Sequence, residues 1–150
     1  MHYIFDLDGT VIDSTHRQNT LADGSLNLSE WRKNNTFNKI QNDSVMPLAK
    51  FWRDAVAAGH TVAICTARTL GIGDYTFLRN NNLFAHVVFS RPEGNKQADH
   101  DLKSEQLLDW IIEEGIETVE MFDDNKKVRA AVSGLGIVMH DPDEYNQNHD

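Results

Sequence analysis

Five short apolar runs punctuate the chain, at residues 3–7, 61–65, 86–89, 119–122 and 137–140. Each is rich in Val, Ile and Phe and nearly continuous rather than alternating, the pattern of strands buried on both faces of a parallel sheet. Between the runs the apolar spacing changes to that of helices. Leu48, Phe51, Trp52, Ala55 and Val56 follow Pro47, with Ser44 as an acceptable cap and Gly59 as the stop. Leu102, Leu107, Leu108, Ile111 and Ile112 mark a second helix ended by Gly115. Val128, Ala131, Val132 and Leu135 mark a third, closed by Gly134 or Gly136. Strands alternating with helices predict an α/β fold: a doubly wound, Rossmann-like parallel sheet of about five strands with helices on both faces. Trp52 and Trp110 read as core.

Residues 14–45 break the alternation. They are polar and rich in Asn, with one short helix expected around 30–37, and they read as a small insertion after the first strand in place of a full cap. The 150 residues are expected to form a single domain, long enough for a real core. With 40% hydrophobic and 25% charged residues the chain has a globular rather than a disordered composition. It holds no run of 18 apolar residues and no basic-then-apolar leader. No membrane span, no secretory signal and no obligate protein partner are expected. The single Cys65 lies in "TVAIC" and reads as a buried, inert thiol, and one cysteine cannot form an internal disulfide. A cytoplasmic protein, of a bacterium or a phage-infected host cell, is the expectation.

The net charge of −9 is uneven: residues 99–150 carry 14 acids and 4 bases, residues 1–98 carry 9 acids and 10 bases. An acidic total argues against strong sequence-independent binding to nucleic acid, which needs Lys and Arg to neutralise phosphates. It leaves room for a basic groove in the first part.

The chemistry gathers where the apolar runs end. In "YIFDLDGTVIDS", the Asp8–Gly9 pair can be read as a hairpin turn, with Asp6 merely facing water. The other reading places Asp6 and Asp8 at the carboxyl end of a strand, where open α/β sheets bind their ligands. The second run delivers Thr66, with Ala67 and Arg68 behind it. The fourth delivers Asp123 and Asp124, and Lys103 lies near the start of the helix before it. If these ends converge, four carboxylates share a pocket. Two like charges about 4 Å apart cost roughly 4 kcal/mol at an effective dielectric near 20. A hard divalent cation with oxygen ligands relieves that cost, and Mg²⁺ suits few carboxylates, several waters and a phosphate.

"FDLDGT", "CTAR", the lysine of "DLKSE" and "FDDN" stand in the order of the four motifs of haloacid-dehalogenase-type phosphatases, which the chain resembles over nearly its whole length. The finer likeness is to the phosphatase domain of phage-type polynucleotide kinases, through Ser14, His16 and Arg17, Trp31 in the insert, and Arg91–Pro92. The resemblance implies Asp6 as nucleophile, forming an aspartyl-phosphate, and Asp8 as general acid and then base. It implies Mg²⁺ held by Asp6, the Asp8 carbonyl, Asp123 and Asp124, and phosphoryl oxygens held by Thr66 and Lys103. Gly9 would let the backbone turn and leave amides free for phosphate. Gly9, Thr10, Ala67, Arg68, Arg17 and Arg91 are the expected substrate-binding residues.

A non-catalytic phospho-receiver combines similar groups, but there the threonine follows the phosphoacceptor and the lysine comes last. Here the threonine comes second and the Asp pair follows the lysine. The expected activity is Mg²⁺-dependent phosphomonoester hydrolysis, with 3′-phosphorylated DNA or RNA ends as the substrate and small esters (nucleoside monophosphates, sugar phosphates) as the alternative.

Overall fold

The structure is a computed structural model that describes residues 1–18 and 28–149. In chain order the strands are β1 (His2–Phe5), β2 (Ile12–Asp13), β3 (Ser44–Val45), β4 (Thr61–Cys65), β5 (Val87–Phe89), β6 (Val119–Phe122) and β7 (Val138–His140). The helices are α1 (Leu28–Asn34), α2 (Phe37–Ile40), α3 (Leu48–Ala57), α4 (Ile72–Asn80), α5 (Asp99–Glu114), α6 (Lys126–Ser133) and α7 (Pro142–Asn148). Five strands form one wholly parallel sheet in the order β5-β4-β1-β6-β7, with β1 in the middle. This is the doubly wound α/β architecture that the apolar runs predict.

Successive residues of β1 serve opposite faces. Phe5 packs with Val62, Ile64 and Phe122 against Leu48, Trp52 and Ala55 of α3 and Phe77 and Leu78 of α4. Its ring stacks on Trp52 at 4.9 Å and on Phe122 at 5.3 Å between centroids. Ile4 turns the other way and joins Ala63, Cys65 and Met121 under Leu107 and Trp110 of α5 and Val128 and Val132 of α6. Both tryptophans read as core are buried.

Register positions the chemistry. Phe5 lies level with Ile64 on one side and Phe122 on the other. The chains therefore leave the sheet together. Asp6 N–H donates to the Phe122 carbonyl at 3.0 Å and Thr66 N–H to that of Phe89 at 2.9 Å, which carries the ladder one step past the strands.

Several local expectations are corrected. The first run ends as a strand at Phe5, and Leu7 instead accepts the turn N–H groups of Thr10, Val11 and Ile12 at 2.9–3.1 Å. Ser44 does not cap α3 but sits in β3, whose Ser44 and Val45 pair antiparallel with Asp13 and Ile12 of β2 and close the insert. The first amide of α3, Leu48 N–H, is satisfied at 2.9 Å by the Asn146 side chain, 98 residues further on. The helix expected at 30–37 ends at Asn34, and Thr36 then opens α2. Residues 19–27 of the insertion lie outside the described residues. Two helices go unread. The α4 segment keeps only a few buried positions (Phe77 and Leu78 among them), and α7, capped by Asp141, is polar apart from Pro142 and Tyr145.

Candidate active site

Asp6, Thr66 and Asp123 emerge side by side at the carboxyl edge, and α5 brings Lys103 beneath them. The Lys103 ammonium, 2% exposed, donates to Asp6 Oδ1 at 3.1 Å and to Asp123 Oδ2 at 2.6 Å. The second Asp6 oxygen accepts from Thr10 Oγ1 at 3.2 Å, and Asp123 Oδ1 accepts from the Asn125 amide at 2.9 Å. Asp6 is thus largely buried at the base of a cleft rather than set on the outer surface. Burial alone would lower the lysine's pKa. The Asp6 and Asp123 charges outweigh it and hold the ammonium charged.

Asp6, Asp123 and Asp124 each turn a carboxylate oxygen to one point, all within 4.8 Å of one another. Lys103 offsets only part of that charge. Burial, then repulsion from Asp6, pushes Asp123 up to about 6 and Asp124 up to about 8. A set of hard oxygen donors with surplus negative charge fits a divalent cation such as Mg²⁺.

Gly9 is required twice over here. Its φ of +77° belongs to the left-handed region, and a Cβ would collide with the Asp124 carboxylate. The hairpin reading of Asp8–Gly9 is thus right about the turn. The amides of Gly9 and Thr10 are engaged within the turn: Gly9 N–H donates to the Ile12 carbonyl at 2.9 Å and Thr10 N–H to that of Leu7 at 3.1 Å. Thr10 is fully buried, with its hydroxyl on Asp6, so it supports the site from behind.

Asp8 points away from this cluster. Its Oδ1 accepts from Ser14 Oγ at 3.0 Å, and its Oδ2 accepts from Arg68 Nε. Burial raises the Asp8 pKa, Arg68 opposes the rise, and Asp6 adds to it; the net is upward. Arg68 is itself anchored, since Nη1 donates to Asp74 Oδ1 at 2.6 Å while Asp74 Oδ2 accepts the Gly71 amide at 3.0 Å. Thr66 is buried and its Oγ1 accepts the Arg68 amide at 3.2 Å. Cys65, just behind, has its thiol pushed up to about 12 by burial.

Asp6, Asp8, Thr66, Arg68, Lys103, Asp123 and Asp124 line a cleft of about 1110 Å³, together with Ala67 and Arg91. Arg91 spends its guanidinium on its own neighbourhood. It donates to the Ala67 carbonyl at 2.7 Å, the Gln97 carbonyl at 2.8 Å and Asp99 Oδ1 at 2.8 Å, which folds the 91–99 rim. Arg17 is placed outside the cleft wall. It is 1% exposed and grips Asp43 through two bonds of 2.8 and 2.7 Å. Sequence reasoning missed Asp74, Asp43, Gln18 and Asn35. None lies in a motif, and each is recognisable only by what it touches.

A family model described as bacteriophage T5 5′-deoxynucleotidase matches residues 1–149. The 5′-deoxynucleotidase of Escherichia phage T5 is 34% identical over an alignment of 111 residues, covering 68% of this chain and 46% of that protein. The chain thus spans about half the length of that relative. Among solved structures, a haloacid-dehalogenase-superfamily hydrolase from Geobacter sulfurreducens superposes with a TM-score of 0.66 at 16% identity, covering 92% of this chain and 86% of that one. A chain of the Pnkp1/Rnl/Hen1 RNA repair complex superposes with a TM-score of 0.65 at 20% identity, over 92% of this chain and 40% of that one. The fold is that of the haloacid dehalogenase hydrolases.

Proposed function

The chain belongs to the bacteriophage T5 5′-deoxynucleotidase family, and from that premise we propose that residues 1–150 form one phosphatase domain, with a small cap-like insert, that hydrolyses deoxynucleoside 5′-monophosphates. The observation that carries the reading is the division of labour between two aspartates at one strand end. Asp6 faces Lys103 and the carboxylate cluster, whereas Asp8 faces Ser14 and Arg68.

Asp6, Asp123 and Asp124 would hold Mg²⁺, with the Asp8 carbonyl as a fourth donor. When bound, the ion offsets charge on the phosphoryl oxygens. An Asp6 oxygen attacks phosphorus and forms an aspartyl-phosphate as the bond to the ester oxygen breaks. Asp8, whose pKa burial raises, gives that oxygen its proton. Water then attacks phosphorus, Asp8 takes its proton, and the bond to Asp6 breaks to release phosphate. Lys103 and the Thr66 hydroxyl stabilise the phosphoryl oxygens. Arg68 keeps the Asp8 carboxyl turned toward the leaving group.

One observation favours a mononucleotide over a strand end. Arg17, Arg68 and Arg91 were the expected phosphate contacts of a polymer, and all three donate to groups of the protein itself. A 3′-phosphorylated end stays as the second reading because the cleft, at about 1110 Å³, lies above the roughly 300–1,000 Å³ usual for small ligands. The test is a phosphate-release screen over the four deoxynucleoside 5′-monophosphates, sugar phosphates, and oligonucleotides phosphorylated at either end, each with Mg²⁺ and with excess chelator. Highest kcat/KM on the mononucleotides, lost in chelator, is expected. Preference for 3′-phosphorylated oligonucleotides would favour the second reading, and full activity in chelator would remove the metal from the mechanism.

A further inference from the structure

One wall of the cleft has no part in the phosphoryl chemistry. It is contributed by the insert and its approach: Trp31 and Asn35 from around α1, and Gln18 just after the first turn. Trp31 is the one aromatic residue that lines the cleft among the described residues. The other tryptophans are buried in the core.

The ring is held, not loose. The Arg17 guanidinium lies 4.6 Å from its centroid and the Arg68 guanidinium 5.7 Å. Asn35 Oδ1 accepts from Arg17 Nη1 at 3.0 Å and from Arg68 Nη1 at 3.4 Å. Sharing one acceptor keeps the two cations beside each other against the ring, and the remainder of the ring borders the cleft. Arg17 is in turn fixed by its buried pair with Asp43. The indole is preorganised by Arg17, and by Arg68, which also holds Asp8.

The two amides beside it have fixed orientations. Two guanidinium donors on Asn35 Oδ1 leave the Asn35 NH₂ as the free group. Ser14 Oγ donates to Asp8, so it must accept from Gln18 Nε2, at 2.9 Å, which leaves Gln18 Oε1 free. A planar aromatic flanked by an open donor and an open acceptor is a chemical match for a nucleobase, with its π face and its edge of alternating donors and acceptors. A phosphate group has no π face to stack on an indole.

We infer that Trp31, Asn35 and Gln18 form a nucleobase subsite, with Trp31 stacking the base and the two amides meeting its edge. This deepens the nucleotidase reading and rests on it. Every base presents a π face, so stacking supplies affinity for all four bases, and the amides add preference among them. The subsite shares Arg68 and Ser14 with Asp8, so a seated base presses on the same residues that orient the proton donor.

The test uses the whole chain with W31F and W31L, and compares deoxynucleoside 5′-monophosphates with 2-deoxyribose 5-phosphate, which lacks only the base. In W31L the selectivity for nucleotide over deoxyribose phosphate is expected to fall about 5- to 100-fold, the range of losing one stacked base. The loss should appear in KM rather than kcat, and W31F should recover most of it. An equal effect on both substrates would overturn the inference and leave the ring a brace for Arg68. A binding measurement separates this from the nucleotidase reading. In the D6N background, nucleotide should quench tryptophan fluorescence, and the quench should vanish with W31F. Persistence of the quench in W31F would place the base elsewhere. No turnover on any nucleotide would overturn the nucleotidase reading, whereas the quench would still decide whether a base meets Trp31.

Discussion

At the scale of single residues, the site depends on who holds the holders. Arg68 reaches Asp8 only because Asp74 grips its other nitrogen, and Asp74 is fixed in turn by the Gly71 amide at the start of α4. In D74N the cap survives, since an amide oxygen still accepts from Gly71, but the charged anchor is lost. A catalytic group displaced by about 1 Å can cost on the order of 100-fold. If Asp8 is the proton donor as proposed, D74N should therefore lower kcat ten- to a hundredfold for nucleotides, whose alkoxide leaving group would need its proton. It should do so much less for 4-nitrophenyl phosphate, whose leaving group does not. Equal losses on both esters, with a lower Tm, would reduce Asp74 to a helix cap. The strand-end residues were legible in the sequence because an apolar run followed by an acid marks both a strand and its exit. Asp74 was not: it sits in "IGDYTFLRN", and only the fold brings it to Arg68. Asn146 was hidden for the same reason, since its partners Leu48 and Thr10 lie 98 and 136 residues away.

At the scale of elements, the sheet was readable and the insert was not. Buried parallel strands leave near-continuous Val/Ile/Phe runs, and a register slip would turn their side chains to the wrong face. The described part of the insert puts Ile40 into the core but is otherwise held largely by polar contacts, which leave no periodicity. Its centre is Arg17, which reads in sequence as a phosphate contact or a surface charge and is no surface charge. It is buried against Asp43, with His16 bonding the same carboxylate at 2.7 Å. Removing one partner of a buried pair strands the other charge, at a cost of about 3–5 kcal/mol. R17M should lower the unfolding free energy by about that amount and should loosen Trp31, which leans on the same guanidinium. Replacing both partners, as in R17M/D43L, should restore much of the loss, because the penalty lies in the unpaired charge. Chemical denaturation of the single and double variants reads this directly. Strict additivity would show that the two residues do not act as a pair.

At the scale of the whole molecule, the acidic cluster links proton, metal and fold. Among the described residues no helix is long and apolar enough to cross a membrane, and the sheet's carboxyl edge opens to solvent through the cleft. Asp124 is pushed up to about 8 and Asp123 to about 6 from an ordinary 3.8. A carboxyl whose pKa is higher folded than unfolded binds more protons in the folded state between those values. The metal-free protein should therefore lose stability as pH rises from about 4 toward 8, since each ionisation adds a charge the fold opposes. A divalent cation reverses the preference, because its ligands must be ionised. If the cluster takes up Mg²⁺ as proposed, uptake at pH 7 should release protons, chiefly from Asp124, and affinity should climb with pH until that group is ionised. Two measurements check the linkage. Calorimetric titration with Mg²⁺ in buffers of different ionisation enthalpy should show proton release at pH 7 that fades by pH 9. The rise in Tm caused by Mg²⁺ should be larger at pH 8.5 than at pH 6. If Mg²⁺ binds without releasing protons, and stabilises equally at both pH values, the three carboxylates are already ionised in the free protein. Lys103, not the cation, would then be the charge that holds them together.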